Sequence, residues 1–133
     1  MKFLKQFPMR VAIVLAIQFV LGVYVNMYVT FPEGGDANAH WEFASTSLPV
    51  LGHIILGIAI LFGSLGYLVI TLKKKQAQLR PYAISGFVAV LAAFLGGESF
   101  VSLQDDAFSM LMAIGFITAL LIYGAATRVK VSE

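Results

Sequence analysis

The sequence predicts an all-α integral membrane protein, a bundle of four transmembrane helices with both termini in the cytoplasm. Hydrophobic residues make up 59% of the 133 residues and charged residues only 12%, and the mean hydropathy is +0.88. Four apolar runs have roughly the 20 residues that a helix needs to cross a bilayer. Every lysine and arginine falls on one side of a four-span arrangement. These observations define the fold class.

The chain is interpreted as one domain, residues 1–133, with spans at about 9–29, 48–72, 82–103 and 107–127. A short basic leader precedes the first span. The polar connection after it contains Trp41 and Phe43, which are typical of a segment at the headgroup level. Pro49 suits the first turn of the second span, where no N–H is needed. A tight turn precedes the fourth span, and an aspartate there can cap that helix.

Charge predicts the orientation. The nine basic residues are Lys2, Lys5, Arg10, Lys73, Lys74, Lys75, Arg80, Arg128 and Lys130. By the positive-inside rule their side is cytoplasmic, so we expect a multi-pass protein of the plasma membrane with both termini inside. The basic run at 73–75 is therefore interpreted as a topology signal in contact with lipid headgroups, and a nucleic-acid partner is not expected.

The absence of cysteine excludes disulfides, thiolate metal ligands, covalent c-type heme attachment and cysteine nucleophiles. No glycine-rich phosphate loop, zinc-ligand spacing or hydrolase triad is present. Readings as a soluble enzyme have little support, and whether the protein is an enzyme stays open at this point.

Small residues predict helix contacts, because helices in lipid associate through close backbone approach. The third span has a small residue at every fourth position: Ser85, Ala89, Ala93 and Gly97. In the second span, Gly57 lies four residues from His53 on the same face. These glycines either pack helices together or leave room for a flat cofactor.

Polar residues inside the spans predict a site. His53 lies five residues from the outer end of the second span, and Glu98 lies five residues from the outer end of the third. Met110 and Met112 lie at similar depth on the fourth, so all four belong to the outer leaflet. His53 is either a hydrogen-bonded helix residue or a metal or heme ligand. Glu98 is a helix link, a proton relay, or a partner of the imidazole.

A resemblance rests on two short segments. Residues 18–25 read QFVLGVYV, and residues 51–57 read LGHIILG after an outer loop. They resemble the first helix and the histidine-bearing second helix of the heme A synthase family, and residues 94–101 and 109–115 echo them in the second half. The chain would correspond to one four-helix half of that eight-helix family. The family has a second histidine on its fourth helix, and this chain has none there. Alignment of Gly57 with Gly115 places Leu111 opposite His53.

The leading hypothesis is a small cytochrome-like membrane protein that binds heme b in the outer leaflet, for electron transfer or heme handling. His53 would be the axial ligand, with Met110 or Met112 as a second ligand or an open sixth position. Gly57 and Gly97 would make room for the macrocycle, and Glu98 would orient the imidazole or take up a proton. The expected partners are the lipid bilayer and a homo-oligomer or larger membrane complex. Two alternatives are a non-catalytic accessory or assembly subunit, and a minimal proton-coupled transporter or channel that uses Glu98 and His53.

Overall fold

The computed structural model of the chain describes residues 2–129, so the expectations for Lys130 and the last residues lie outside it. It contains five helices, α1 Lys2–Tyr28, α2 Ala37–Thr46, α3 Leu48–Lys73, α4 Arg80–Leu103 and α5 Asp106–Ala126. Four of them, all except α2, are long and apolar enough to cross a membrane. The predicted all-α bundle of four long apolar helices is confirmed. Its orientation in a membrane stays a prediction.

Local chemistry accounts for several helix ends. Asp36 caps α2 by accepting a hydrogen bond from the backbone N–H of Ala39 at 3.0 Å. Asp105 caps α5 through the N–H of Ala107 at 2.9 Å, as the sequence predicted. Gln104 follows α4 in the left-handed region with φ 52°, and its side-chain amide donates to two of the last α4 carbonyls.

The long helices pack in the cyclic order α1, α3, α4, α5, so that α1 lies diagonally opposite α4, and α3 lies diagonally opposite α5. The short helix α2 lies across α3 and α4 at one end, called here the α2 end. The other end, called the basic end, carries the described residues Lys73, Lys74, Lys75, Arg80 and Arg128. The polar connection that contains Trp41 and Phe43 forms α2, a helix that the sequence did not predict.

The tightest contact joins α4 to α5. A methyl group on Gly96 would lie 2.7 Å from the backbone nitrogen of Met112, and one on Gly115 would lie 2.7 Å from the nitrogen of Ala93. The two backbones therefore touch directly, as helices in lipid do at small residues. This contact uses Ala89 and Ala93 of the predicted small-residue stripe.

Ser85 does not belong to that contact. It is exposed and donates a hydrogen bond to the carbonyl of Pro81 in its own helix at 2.7 Å. A spacing of four residues drifts around a helix of 3.6 residues per turn, so three such steps leave the buried face. Gly86 lies on that face instead, and a methyl group there would be 2.8 Å from the ring of Tyr123.

Side chains fill the bundle in two separate clusters. The basic-end cluster includes the buried residues Leu4, Val11, Leu15, Ile60, Tyr67, Leu79, Ala83, Ala89, Val90, Ala119 and Tyr123. The α2-end cluster has Ala44, Val50 and Val101 at its centre, with Trp41 and Ile54 among the side chains packed against it. Between the clusters lies the level of His53.

Two buried tyrosine rings join α3 to α5 inside the basic-end cluster. Tyr67 and Tyr123 are both fully buried, and their ring centroids are 6.2 Å apart. The hydroxyls of Tyr67 and Tyr123 lie near Thr71 and Ser64, but neither makes a hydrogen bond. Phe7 of α1 stacks on Tyr67 with a centroid distance of 4.6 Å. Aromatic contacts thus close this half of the bundle.

We expect Gly115→Ala to destabilise the protein by about 1–3 kcal/mol, the usual range for overpacking. The added methyl would meet backbone atoms of Ala89 and Ala93 at 2.7–3.0 Å, and these atoms cannot rotate away. Gly124→Ala is the matched control in the same helix, because nothing lies within 4 Å of its added methyl. Thermal unfolding in detergent, followed by circular dichroism, measures both. Equal stability of the two variants would contradict the direct α4–α5 contact.

Candidate functional site

A cavity of about 440 Å³ separates the two clusters. All four long helices line it, and Phe31 and Trp41 line it at the α2 end. Its walls are mainly apolar, with a few polar groups among them. A volume of this size falls within the roughly 300–1,000 Å³ of ordinary small-molecule sites. The cavity is therefore the candidate functional site.

His53 projects from α3 toward α1. A methyl group on Gly22 would lie 3.0 Å from Cε1 of the imidazole, so the ring packs directly against the α1 backbone. The ring nitrogen Nδ1 is buried and has no hydrogen-bond partner. A buried polar atom without a partner is unfavourable, so a rotation of the ring or of a neighbouring side chain that gives this nitrogen a partner would be favoured.

Gln18 of α1 fixes the helix that carries His53. Its side chain is only 2% exposed, and Nε2 donates a hydrogen bond to the backbone carbonyl of His53 at 2.8 Å. Gly57 makes this approach possible, since a methyl group there would lie 3.3 Å from Nε2. The other amide atom, Oε1, is buried without a partner. Gln18 thus leaves a free acceptor among the residues lining the cavity.

Glu98 is connected to α2 and not to His53. The indole nitrogen of Trp41 donates to the hydroxyl of Ser102 at 3.0 Å, and that hydroxyl donates in turn to Oε1 of Glu98 at 3.5 Å. Glu98 is exposed and also lines the cavity. The carboxylate belongs to α4, and two hydrogen bonds through Ser102 connect it to Trp41 of α2.

The two candidate methionines point in different directions. Met112 lines the cavity, and its sulfur would lie 3.1 Å from a methyl group on Gly97. Met110 does not line the cavity, and its side chain is 63% exposed. Two residues along an α-helix differ by about 200° in direction, so both methionines cannot serve one site.

The structure brings five of the six predicted site residues to the cavity, namely His53, Gly57, Gly97, Glu98 and Met112. The two glycines do not face empty space, because Gly57 contacts Gln18 and Gly97 contacts Met112. His40 lies in α2 outside the cavity, where its Nε2 is 3.3 Å from the carbonyl of Gly34.

Sequence reasoning did not name Gln18, Gly22 or Trp41 as site residues. A usable signal existed for Gln18, because an amide is rare in an apolar span and this one lies at a depth similar to that of His53. No comparable signal marks Gly22, since its role depends on the direction of the imidazole.

The donor set limits which metals the site can hold. Among residues 2–129, no group of three or more His, Cys, Asp or Glu side chains is placed to bind a metal ion. A bare zinc or calcium ion would need more ligands than His53 and Glu98 provide. One imidazole and one thioether match the axial ligands of a heme, whose macrocycle provides the other four donors.

Comparison with known proteins identifies no relative: no protein-family model, no curated protein and no solved structure matches the chain.

We expect Gly22→Ala to displace the His53 imidazole, because the added methyl would lie 3.0 Å from Cε1. The ring must move by a few tenths of an ångström, at a cost of about 1 kcal/mol in stability. Gly52→Ala is the control on α3, since nothing lies within 4 Å of its methyl.

Nitrogen NMR of ¹⁵N-histidine-labelled protein measures this displacement, with His40 as an internal reference. The His53 signals should shift in Gly22→Ala and stay in place in Gly52→Ala. Unchanged His53 signals in both variants would show that the ring does not pack against α1.

Proposed function

We propose that the protein binds heme b in this cavity, where a ring nitrogen of His53 and the sulfur of Met112 would hold the iron. The observation that carries the proposal is that an imidazole with an unpartnered buried nitrogen and a thioether line the same apolar cavity. Their helices, α3 and α5, are diagonally opposite, which suits ligands that approach from two sides. Met110 is left out of the site because it is exposed on the outside of α5.

The chain's own residues position these ligands. Gln18 holds the α3 backbone at His53, and Gly22 lets the imidazole lie against α1. We assign the free Oε1 of Gln18 as acceptor for the imidazole N–H that remains when the other nitrogen binds iron, because such a bond fixes the tautomer. When bound, heme b supplies a one-electron iron couple. A thioether ligand favours the reduced iron and raises the reduction potential.

Of the two roles expected for Glu98, we propose proton uptake and not orientation of the imidazole. Its hydrogen bond comes from Ser102, which is held by Trp41, so the carboxylate is directed by α2. We propose that it takes up a proton at the α2 end when the charge in the cavity changes. Electron transfer or heme handling beside a larger membrane complex, or within a homo-oligomer, fits this arrangement.

The proposed orientation places the α2 end outside the cell membrane and the basic end in the cytoplasm. It is supported by the five described cations at the basic end and by Glu33, Asp36 and Glu42 near α2. In this orientation the cavity lies in the outer leaflet. The resemblance seen in residues 18–25 and 51–57 would imply such a position, although no family model matches the chain, and the missing second histidine argues against heme A synthesis.

The transporter alternative finds support in one observation, since His53 and Glu98 line the same cavity. A continuous path would also have to cross the basic-end cluster, where Leu15, Ile60 and Ala119 are buried at the floor of the cavity. Proton flux in liposomes that is lost in Glu98→Gln would favour it over heme binding. The accessory-subunit alternative would be favoured by a stoichiometric partner without a chromophore.

Reconstitution of the purified protein with heme b tests the proposal. We expect a Soret band in the wild type and its loss in His53→Ala, because the axial nitrogen is removed. Met112→Leu should retain heme, change the reduced spectrum and lower the midpoint potential, since a thioether ligand raises it.

Met110→Leu is the matched control for Met112→Leu, because it makes the same change in the same helix outside the cavity. Its spectrum and potential should equal those of the wild type. A wild type without a Soret band, or equal effects of the two methionine variants, would overturn the proposed ligands.

The orientation is tested with single cysteines in the cysteine-free chain. Asn38 in α2 and Gln78 at the basic end are both exposed. We expect a membrane-impermeant maleimide to label Asn38→Cys in intact cells, and Gln78→Cys only after permeabilisation. The reverse pattern would place the α2 end inside.

A further inference from the structure

We propose that the cavity exchanges its ligand sideways with the bilayer, through the gap between α1 and α5 at the α2 end. The ligand is then an amphiphile dissolved in the membrane, and the protein is a handling site that loads and unloads it. The identity of that ligand as heme b rests on the proposed function, whereas the lateral route rests on the walls of the cavity.

The α2 end of the cavity is closed by packing. Ala44, Val50 and Val101 are buried there, and Trp41 is fixed to α4 through its hydrogen bond to Ser102. Phe31 lies against the rings of Phe43 and Phe100, with centroid distances of 5.1 and 5.7 Å. A ligand from the water at this end would have to displace α2 and its aromatic contacts.

The basic end of the cavity is closed as well. Leu15, Ile60, Val90 and Ala119 line the cavity and are all buried members of the basic-end cluster. Below them the packed rings of Tyr67 and Tyr123 fill the space between α3 and α5. A ligand would have to displace this packed layer to leave the cavity at the basic end.

Between α1 and α5 the residues that line the cavity are partly exposed. Phe19 and Val23 of α1 line the cavity although they are 44% and 41% exposed, and Ala113 of α5 lines it and is also exposed. The other exposed residues in the lining are Asn26, Ile58 and Glu98. Among the described residues, the α2-end cluster contains side chains of α1, α2, α3 and α4 but none of α5. Because α1 and α5 are not consecutive in the chain, no short loop holds them together. This side is the opening that faces lipid.

Two unpaired polar atoms beside the cavity indicate a binding site and not only a gap in the packing. Gln18 is 98% buried, and its Oε1 has no partner. Nδ1 of His53, on the neighbouring helix α3, is also buried and has no hydrogen-bond partner. Neither atom is accessible from the cavity in the structure; a polar or metal-containing centre that reached them after a side-chain rotation would satisfy them, whereas lipid chains cannot.

A labelling experiment that needs no heme tests the route. Val90 lines the cavity and is buried, and Val90→Cys introduces the sole cysteine of the chain. In proteoliposomes we expect this cysteine to react with a membrane-dissolved N-pyrenyl maleimide and to resist a water-soluble cationic thiosulfonate. Adding Ala113→Phe, which fills the opening, should slow the pyrenyl reaction at least tenfold.

Ile114→Phe is the control for Ala113→Phe, because Ile114 is exposed on the same helix and does not line the cavity. It should leave the labelling rate unchanged. Reaction with the water-soluble reagent at a comparable rate, reaction with neither reagent, or equal rates in the two phenylalanine variants would each overturn the lateral route.

The rate of heme loading tests the identity of the ligand separately from the lateral route. With heme b dissolved in the vesicles, Ala113→Phe should slow both loading and release by the same factor of ten or more, and Ile114→Phe should not. Trp41, the single tryptophan, lines the cavity, so its quenching by heme reports loading. Lateral labelling of Val90→Cys in a protein that never takes up heme would retain the route and reject heme b as its ligand.

Discussion

The direct contact of the α4 and α5 backbones is the constraint on which the arrangement of the bundle depends. Gly96 and Gly115 allow an approach that no larger residue permits, because their missing side chains would meet backbone atoms at 2.7 Å. In lipid, such close packing replaces the hydrophobic effect as the force between helices. With α5 held to α4, the helix α1 can meet α5 at one end and leave it uncovered at the other.

The two ends of the bundle differ in packing, because large side chains fill one end and a short helix covers the other. Large side chains, Tyr67 and Tyr123 among them, occupy the basic end, where Gly86 makes room for the Tyr123 ring. At the α2 end the filling comes from a separate short helix that lies across α3 and α4. The level between the two clusters is not filled, although side chains of both clusters line it. The cavity is a consequence of that division.

The unpaired polar atoms at this level lower the stability of the folded protein. A buried acceptor or donor without a partner costs about 1–3 kcal/mol, and both Gln18 Oε1 and His53 Nδ1 are in that state. Interhelical hydrogen bonds in membranes contribute only about 0.6 kcal/mol on average, so the bond from Gln18 to the His53 carbonyl does not offset them. Unfavourable polar groups beside a cavity are typical of binding sites.

The sequence alone determined the fold class, the four apolar helices and the cap at Asp105, because hydropathy, length and capping chemistry are local properties. It also placed His53, Glu98 and Met112 at one depth, since depth follows from the rise of 1.5 Å per residue. Only the tertiary structure decided which side chains face inward. It separated Met112 from Met110, connected Glu98 to α2 through Ser102, removed Ser85 from the helix contact and brought Gln18 and Gly22 to His53. The reason is that every face of a membrane helix is apolar, so the rotation of each helix is set by its neighbours and leaves little trace in its own residues.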